Sequence, residues 1–282
     1  MTLPAWIGDG LAPREGPRPG AAVDALDAGL RSGIGVFETL RAHGTATLAA
    51  ERHLERLADG TRRLGIAMAI ERLRDALHRT LAAPRAVHEV AVRITVTAGP
   101  VSPDRWPPEP VGRPTLIITL HPAPPLPLPA VDAVTVPARR WPADVKSTSY
   151  LASVLAQREA VARGADAAVL HDGDELLETA EGNLFAIIGS ELRTPPADGR
   201  LLPGVTRALV LETAALLDVR PTTAPLLRAE ALAADALFVT SAVSGIRTVR
   251  TLDGVPVGST GDEVTTPALV DALRATLAAL RA

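Results

Sequence analysis

The stretch "HPAPPLPLPAVDAV", residues 121–134, holds five prolines. Proline fixes φ and has no N–H to donate, so no helix runs through this segment. It reads as a stiff, extended connector. We place a domain boundary on it. A smaller N-terminal α/β domain covers 1–120, the connector covers 121–130, and a larger C-terminal α/β domain covers 131–282. Working outward on the N-terminal side, "PTLIITLHP" (114–122) and "EVAVRITVTAG" (89–99) have the β-branched content of strands. Before them, 45–66 and 69–83 repeat leucines near helical spacing with charges between. On the C-terminal side, "AVTVPAR" (133–139) reads as a strand and "SYLASVLAQREAVARG" (149–164) as a helix ending at a glycine. Residues 167–196 read as a meander, its first two strands joined through "HDGDE" by an Asp-Gly hairpin signal. A helix over 202–217, a strand over 236–242 and a final helix over 267–282 follow. Strands and helices mix without strict βαβ alternation, so the expected class is α+β in two domains.

The composition points to where the chemistry lies. Among 282 residues there is one lysine, Lys146, against 28 arginines. There is also one tyrosine (Tyr150), one asparagine (Asn183), one glutamine (Gln157) and no cysteine. The scarce types largely have AT-rich codons, which reads as mutation pressure in a GC-rich genome. A scarce residue survives most readily where no substitute serves, and these four lie together between positions 146 and 183. Without cysteine there is no disulfide framework or thiolate metal site, and no metal is expected. A net charge of −3 without basic blocks argues against nucleic acid as a partner. No apolar run is long enough to span a bilayer, and "MTLPAWIGDG" lacks the regions of a signal peptide. The expectation is a soluble, cytoplasmic protein acting on a small molecule.

Several residues carry candidate chemistry. Lys146 in "ADVKSTSYL" (143–151) is either a surface lysine or one chosen because an amine can lose its proton and act as a nucleophile, which guanidinium cannot do. Glu178 and Glu181 in "LLETAEGNLFAI" (176–187) either face solvent on a hairpin or lie buried, where a carboxylate could pair with a cationic ring nitrogen. "LLPGVTRALV" (201–210) is a turn entering a helix. It reads as an ordinary helix cap or as a phosphate cradle using the N–H groups of Val205 and Thr206 and the Thr206 hydroxyl. Arg52 and Arg56 share one helix face and read by default as solvated charges. A nucleophilic amine, an acid and an anion cradle together suggest pyridoxal phosphate, whose aldehyde, ring nitrogen and phosphate need those three groups.

With these motifs in hand, the chain resembles the class IV aminotransferases, the fold-type IV pyridoxal-phosphate enzymes. The resemblance runs from about residue 26 to 270. It is carried by "GIGVFETLRAHG" (33–44), "HLERLADGTRRLGI" (53–66), "VKSTSYLASVLAQREAVARGADAAVL" (145–170), "LLETAEGNLFAI" (176–187), "LRTPPADGRLLPGVTR" (192–207) and "LFVTSAVSGIRTV" (237–249). The resemblance implies that Lys146 anchors the cofactor and then carries the substrate proton. Glu178 would keep the pyridine nitrogen protonated. Arg56, Val205 and Thr206 would hold the phosphate, with Ser241 nearby, and Tyr150 would meet the ring oxygen. It also implies a homodimer. The sequence departs from the family at Ile34, where Gly-Asp-Gly is frequent, and at Ala242, where a hydroxyl is frequent. "TAG" (97–99) lacks an arginine that some members use for a substrate carboxylate. The resemblance leaves two activities. Thr39 in "FETLR", the compact length and "TSAVSGIRTV" lean toward 4-amino-4-deoxychorismate lyase, with amino-acid transamination as the alternative.

Overall fold

The structure is a computed structural model and describes residues 5–7, 10–12, 22–217, 219–258 and 265–279. The chain divides into two compact units. One is everything before Pro125 together with Val145–Ser149, and the other is Pro125–Asp144 with Tyr150 onward. The division at Pro124 falls inside the proline-rich stretch. The sequence reading carried Lys146 with the second domain, whereas residues 145–149 pack with the first unit.

In the first unit the chain forms β1 (Ala5–Ile7), β2 (Gly10–Ala12), α1 (Ala28–Ser32), β3 (Gly35–His43), β4 (Ala46–Thr47), α2 (Ala50–Arg63), α3 (Ile70–Ala82), β5 (Glu89–Thr97) and β6 (Thr115–Pro122). The six strands form one sheet in the order β2-β1-β6-β5-β3-β4. The long pairings, β3 with β5 and β5 with β6, are antiparallel. Side chains alternate across a strand, so one face of this sheet is apolar: Val36 and Leu40 from β3, Val92 and Ile94 from β5, Leu116 and Ile118 from β6. Leu54 and Leu57 of α2 and Leu73 and Leu77 of α3 cover it. Each such side chain contributes roughly 1.5–3 kcal/mol on burial. The other face carries Phe37, Thr39, Arg93 and Thr95.

Residues 145–149 extend this sheet along β3. Phe37 N–H donates to Lys146 O (2.8 Å), Thr148 N–H donates to Gly35 O (2.8 Å), and Val36 and Ser147 form an antiparallel bridge. Val145 joins the apolar core. The turn into β3 needs glycine at position 33, which has φ +66°, and the Thr148 hydroxyl donates to its carbonyl at 2.8 Å.

In the second unit the chain forms β7 (Val131–Pro137), α4 (Leu151–Ala162), β8 (Ala167–Asp172), β9 (Glu175–Thr179), β10 (Asn183–Ile188) and β11 (Glu191–Thr194). It continues with α5 (Val205–Leu216), β12 (Arg220–Thr223), β13 (Leu226–Leu227), α6 (Arg228–Leu232), β14 (Ala236–Ser241), β15 (Gly245–Leu252), β16 (Val255–Pro256) and α7 (Thr265–Ala279). The sheet order is β12-β11-β10-β14-β15-β7-β8-β9-β13, with β16 on β15. Because β9 also pairs with β10 at Glu178 and Asn183, the sheet curls back on itself. Val131, Val169, Leu184, Leu237 and Leu252 fill one part of its core. The expected Asp-Gly hairpin joins β8 to β9, with Gly173 at φ +58°. Among the described residues no helix is long and apolar enough to cross a membrane.

Candidate active site

The first unit holds two of the expected residues. Lys146 is half-buried, and its Nζ lies 4.7 Å from the centroid of the Phe37 ring. The Arg93 guanidinium carbon lies 3.7 Å from the same centroid. Thr39 follows Phe37 by two residues on the same strand face and is in register with Arg93. Arg56, on α2, is no solvated charge. Its Nε donates to Glu38 Oε1 (2.6 Å) and its Nη2 to Glu38 Oε2 (2.9 Å). His53 Nδ1 lies 2.8 Å from Glu38 Oε2. Glu38 is fully buried, and burial alone pushes its carboxyl up. The Arg56 charge and the hydrogen bonds from His53 and Arg56 outweigh this and hold it at about 2. The guanidinium is thereby fixed in one orientation by a bidentate contact.

The second unit holds the others. Glu178, the fourth residue of β9, is buried, so the exposed hairpin alternative does not apply. Its Oε1 accepts from Arg140 Nε (3.0 Å) and from Arg140 Nη2, and its Oε2 accepts from Leu202 N–H (3.2 Å). Tyr150 caps α4, and its hydroxyl donates to Ala180 O at 2.5 Å, two residues beyond Glu178. Burial pushes the Tyr150 phenol up, while the charge of Arg140 works in the opposite direction. Glu181, in the β9–β10 connection, is exposed, as the solvent-facing alternative has it.

Leu202 links the acid to the helix start. Its carbonyl accepts from Asn183 Nδ2 (2.9 Å), while its N–H serves Glu178. Gly204, the N-cap of α5, sits so close to Asn183 that a Cβ there would lie 2.0 Å from Asn183 Oδ1. A glycine cap brings no side-chain oxygen to the first-turn N–H groups of Val205 and Thr206, both of which are buried. Ser241 ends β14, and its Oγ accepts from Ser244 N–H at 3.0 Å. The neighbouring Thr240 pairs with Asn183, and its Oγ1 is buried without a hydrogen-bond partner.

The structure thus gathers Tyr150, Glu178, Val205 and Thr206 around one hydrogen-bonded loop, with Ser241 on the strand beside it. It places Lys146 over Phe37 and Arg56 on Glu38. Sequence reasoning missed Arg140, Glu38, His53 and the role of Asn183. The scarcity of asparagine was the one signal available, whereas no arginine stands out among 28. The donor set fits pyridoxal phosphate: an amine for the aldehyde, a buried carboxylate for the ring nitrogen, and for the phosphate an uncapped helix start beside a partnerless buried hydroxyl.

Comparison with known proteins agrees. The family model described as amino-transferase class IV matches residues 35–252. A Methanocaldococcus jannaschii protein assigned as a branched-chain-amino-acid aminotransferase is 33% identical over 243 residues, covering 83% of this chain and 84% of that protein. The Thermoproteus uzoniensis branched-chain aminotransferase, solved with norvaline, superposes with a TM-score of 0.85 at 26% identity, covering 99% of this chain and 95% of that one. A Legionella pneumophila protein assigned as a 4-amino-4-deoxychorismate lyase gives a TM-score of 0.82 at 27% identity, covering 92% and 95%.

Proposed function

Because the chain belongs to the class IV aminotransferases, a family of pyridoxal-phosphate enzymes, we propose that it is a 4-amino-4-deoxychorismate lyase. The bound cofactor supplies an electron sink for the pair left when a proton leaves the amine-bearing carbon of the substrate. Lys146 takes that proton: an amine accepts and returns a proton near neutral pH, which guanidinium does not. Glu178 holds the proton on the ring nitrogen, and Tyr150 orients the ring oxygen. Arg56, with Val205 and Thr206, binds the phosphate. Ser241 supplies a hydroxyl beside them where the family often carries one at position 242. On this substrate, proton loss is followed by departure of the enolpyruvyl oxygen from the adjacent carbon. The ring becomes aromatic, and the enolate takes up a proton, giving p-aminobenzoate and pyruvate without an amino acceptor.

Thr39 carries the lyase reading. It puts a hydroxyl on the strand face that holds Phe37, over whose ring Lys146 lies, and a hydroxyl there can hold a polar substituent of the substrate. Amino-acid transamination is the second reading, favoured by the 33% identity to the M. jannaschii protein. One assay separates them. Aminodeoxychorismate alone yields p-aminobenzoate if the lyase reading holds. New glutamate from an amino acid plus 2-oxoglutarate, with no p-aminobenzoate in the first tube, assigns a transaminase instead.

The proposal includes a homodimer. Leu151, Val154, Leu155 and Val161 form one outward stripe of α4, between 39% and 67% exposed. An exposed apolar stripe of this kind, with Arg158 set within it, suits a second copy of the chain.

A further inference from the structure

Glu178 has its own support. Arg140, in the connection between β7 and α4, is 8% exposed in its side chain and shares an ion pair with the 5% exposed side chain of Glu178. Two of its N–H groups converge on Oε1, and the backbone N–H of Leu202 reaches Oε2. Other charged groups nearby have separate partners. Arg139 pairs with Asp172, Arg200 with Glu175 and Asp198, and His171 Nδ1 sits 2.8 Å from Gly173 O. Tyr150 and Glu181 are further titratable groups acting at this corner. The geometry points to Arg140 as a positioning residue that keeps Glu178 ionised and fixed in the orientation that holds a protonated ring nitrogen.

This inference rests on the pyridoxal-phosphate assignment above. A carboxyl buried without an opposite charge favours its neutral form. A neutral acid can hydrogen-bond a ring nitrogen but does not stabilise it as a cation. The forked guanidinium supplies both the charge and the orientation, and a lysine supplies the charge alone. Removing the charge raises the Glu178 carboxyl. The carboxylate is then lost at a higher pH than in the parent protein, so the defect is largest at low pH and shrinks as pH rises.

The test compares the parent protein, Arg140→Met, Arg140→Gln and Arg140→Lys. Each is stripped of cofactor and titrated with pyridoxal phosphate, and in parallel with its analogue carrying CH in place of the ring nitrogen, from pH about 5 to about 9. Borohydride reduction and peptide mass spectrometry first establish that the parent carries the cofactor on Lys146. No adduct there overturns the cofactor assignment itself. With the adduct present, Met or Gln is expected to weaken pyridoxal phosphate about tenfold or more near pH 6, with the gap closing toward pH 9. The ring-carbon analogue is expected to bind the variants and the parent alike, and Lys to restore most of the affinity. Equal affinities across the series, or an equal pH-independent loss for both ligands, overturns the role of Arg140 while leaving the cofactor assignment standing.

Discussion

Glu38 is a carboxylate with no exposed surface, and the fold tolerates it because Arg56 and His53 both reach it. Burial raises its carboxyl, the two partners lower it further than burial raises it, and the balance moves it from 4.5 to about 2. The folded value lies below the unfolded one. The contribution is therefore complete above pH 4.5 and is lost as pH falls toward 2. The shift corresponds to about 3 kcal/mol. Glu38→Gln strips Arg56 of its counter-charge and is expected to destabilise the protein by about 3–5 kcal/mol. It should also flatten the acid dependence of denaturant midpoints between neutral pH and about 3. A variant that keeps the parent's acid slope would place the source of that slope elsewhere. Of this triad only Arg56 was singled out from sequence, as a phosphate ligand, although "FETLR" was in view. A lone acid reads by default as solvent-facing, and the partners that reverse that reading come from α2, 15 and 18 residues away. Lys146 was legible for the opposite reason: it is one of a kind, so its identity alone carried information.

The start of α5 is set by the backbone of one residue. Leu202 is held at its N–H by Glu178 and at its carbonyl by Asn183, and Gly204 packs against the Asn183 amide. Asn183→Asp replaces the donor with an acceptor facing Leu202 O. It is expected to cost about 1–3 kcal/mol of stability and to speed cofactor release, as measured by thermal unfolding and by loss of cofactor absorbance on dilution. Parent-like values for both would show that the loop is held by other contacts. The helices α2 and α3 were readable because their leucines recur near helical spacing with charges between, whereas α4 was marked by the glycine that ends it and α5 by the turn that enters it. The strand β3 was quoted for its motif but never read as a strand. It is buried at nearly every position, since one face meets the helices and the other holds Phe37 between Arg93 and Lys146, so no alternation shows. The strand β15 was missed as well. It opens at Gly245 and mixes arginine and threonine with its buried residues.

At the scale of the molecule, the stripe of α4 predicts assembly. Leu151→Glu combined with Leu155→Glu is expected to convert a dimer to a monomer in sedimentation velocity, with the far-UV spectrum unchanged. A persistent dimer would move the interface to another face. The two-unit organisation was legible because the prolines at 122–129 break every regular element. The return of residues 145–149 to the first unit was not, because it depends on pairing with a strand more than 100 positions earlier. That return has a consequence for how the gene can be cut. A fragment ending in the proline-rich stretch would lack the five residues that pair with Gly35–Phe37, and would present that border of β3 as a bare hydrogen-bonding edge open to other chains. The complementary fragment would carry Lys146 on a tether, stripped of the backbone pairing that fixes its place. The proline connector is thus a visible seam but a poor place to divide the protein. Fragments designed there should reunite only when the 145–149 segment of one finds the β3 edge of the other.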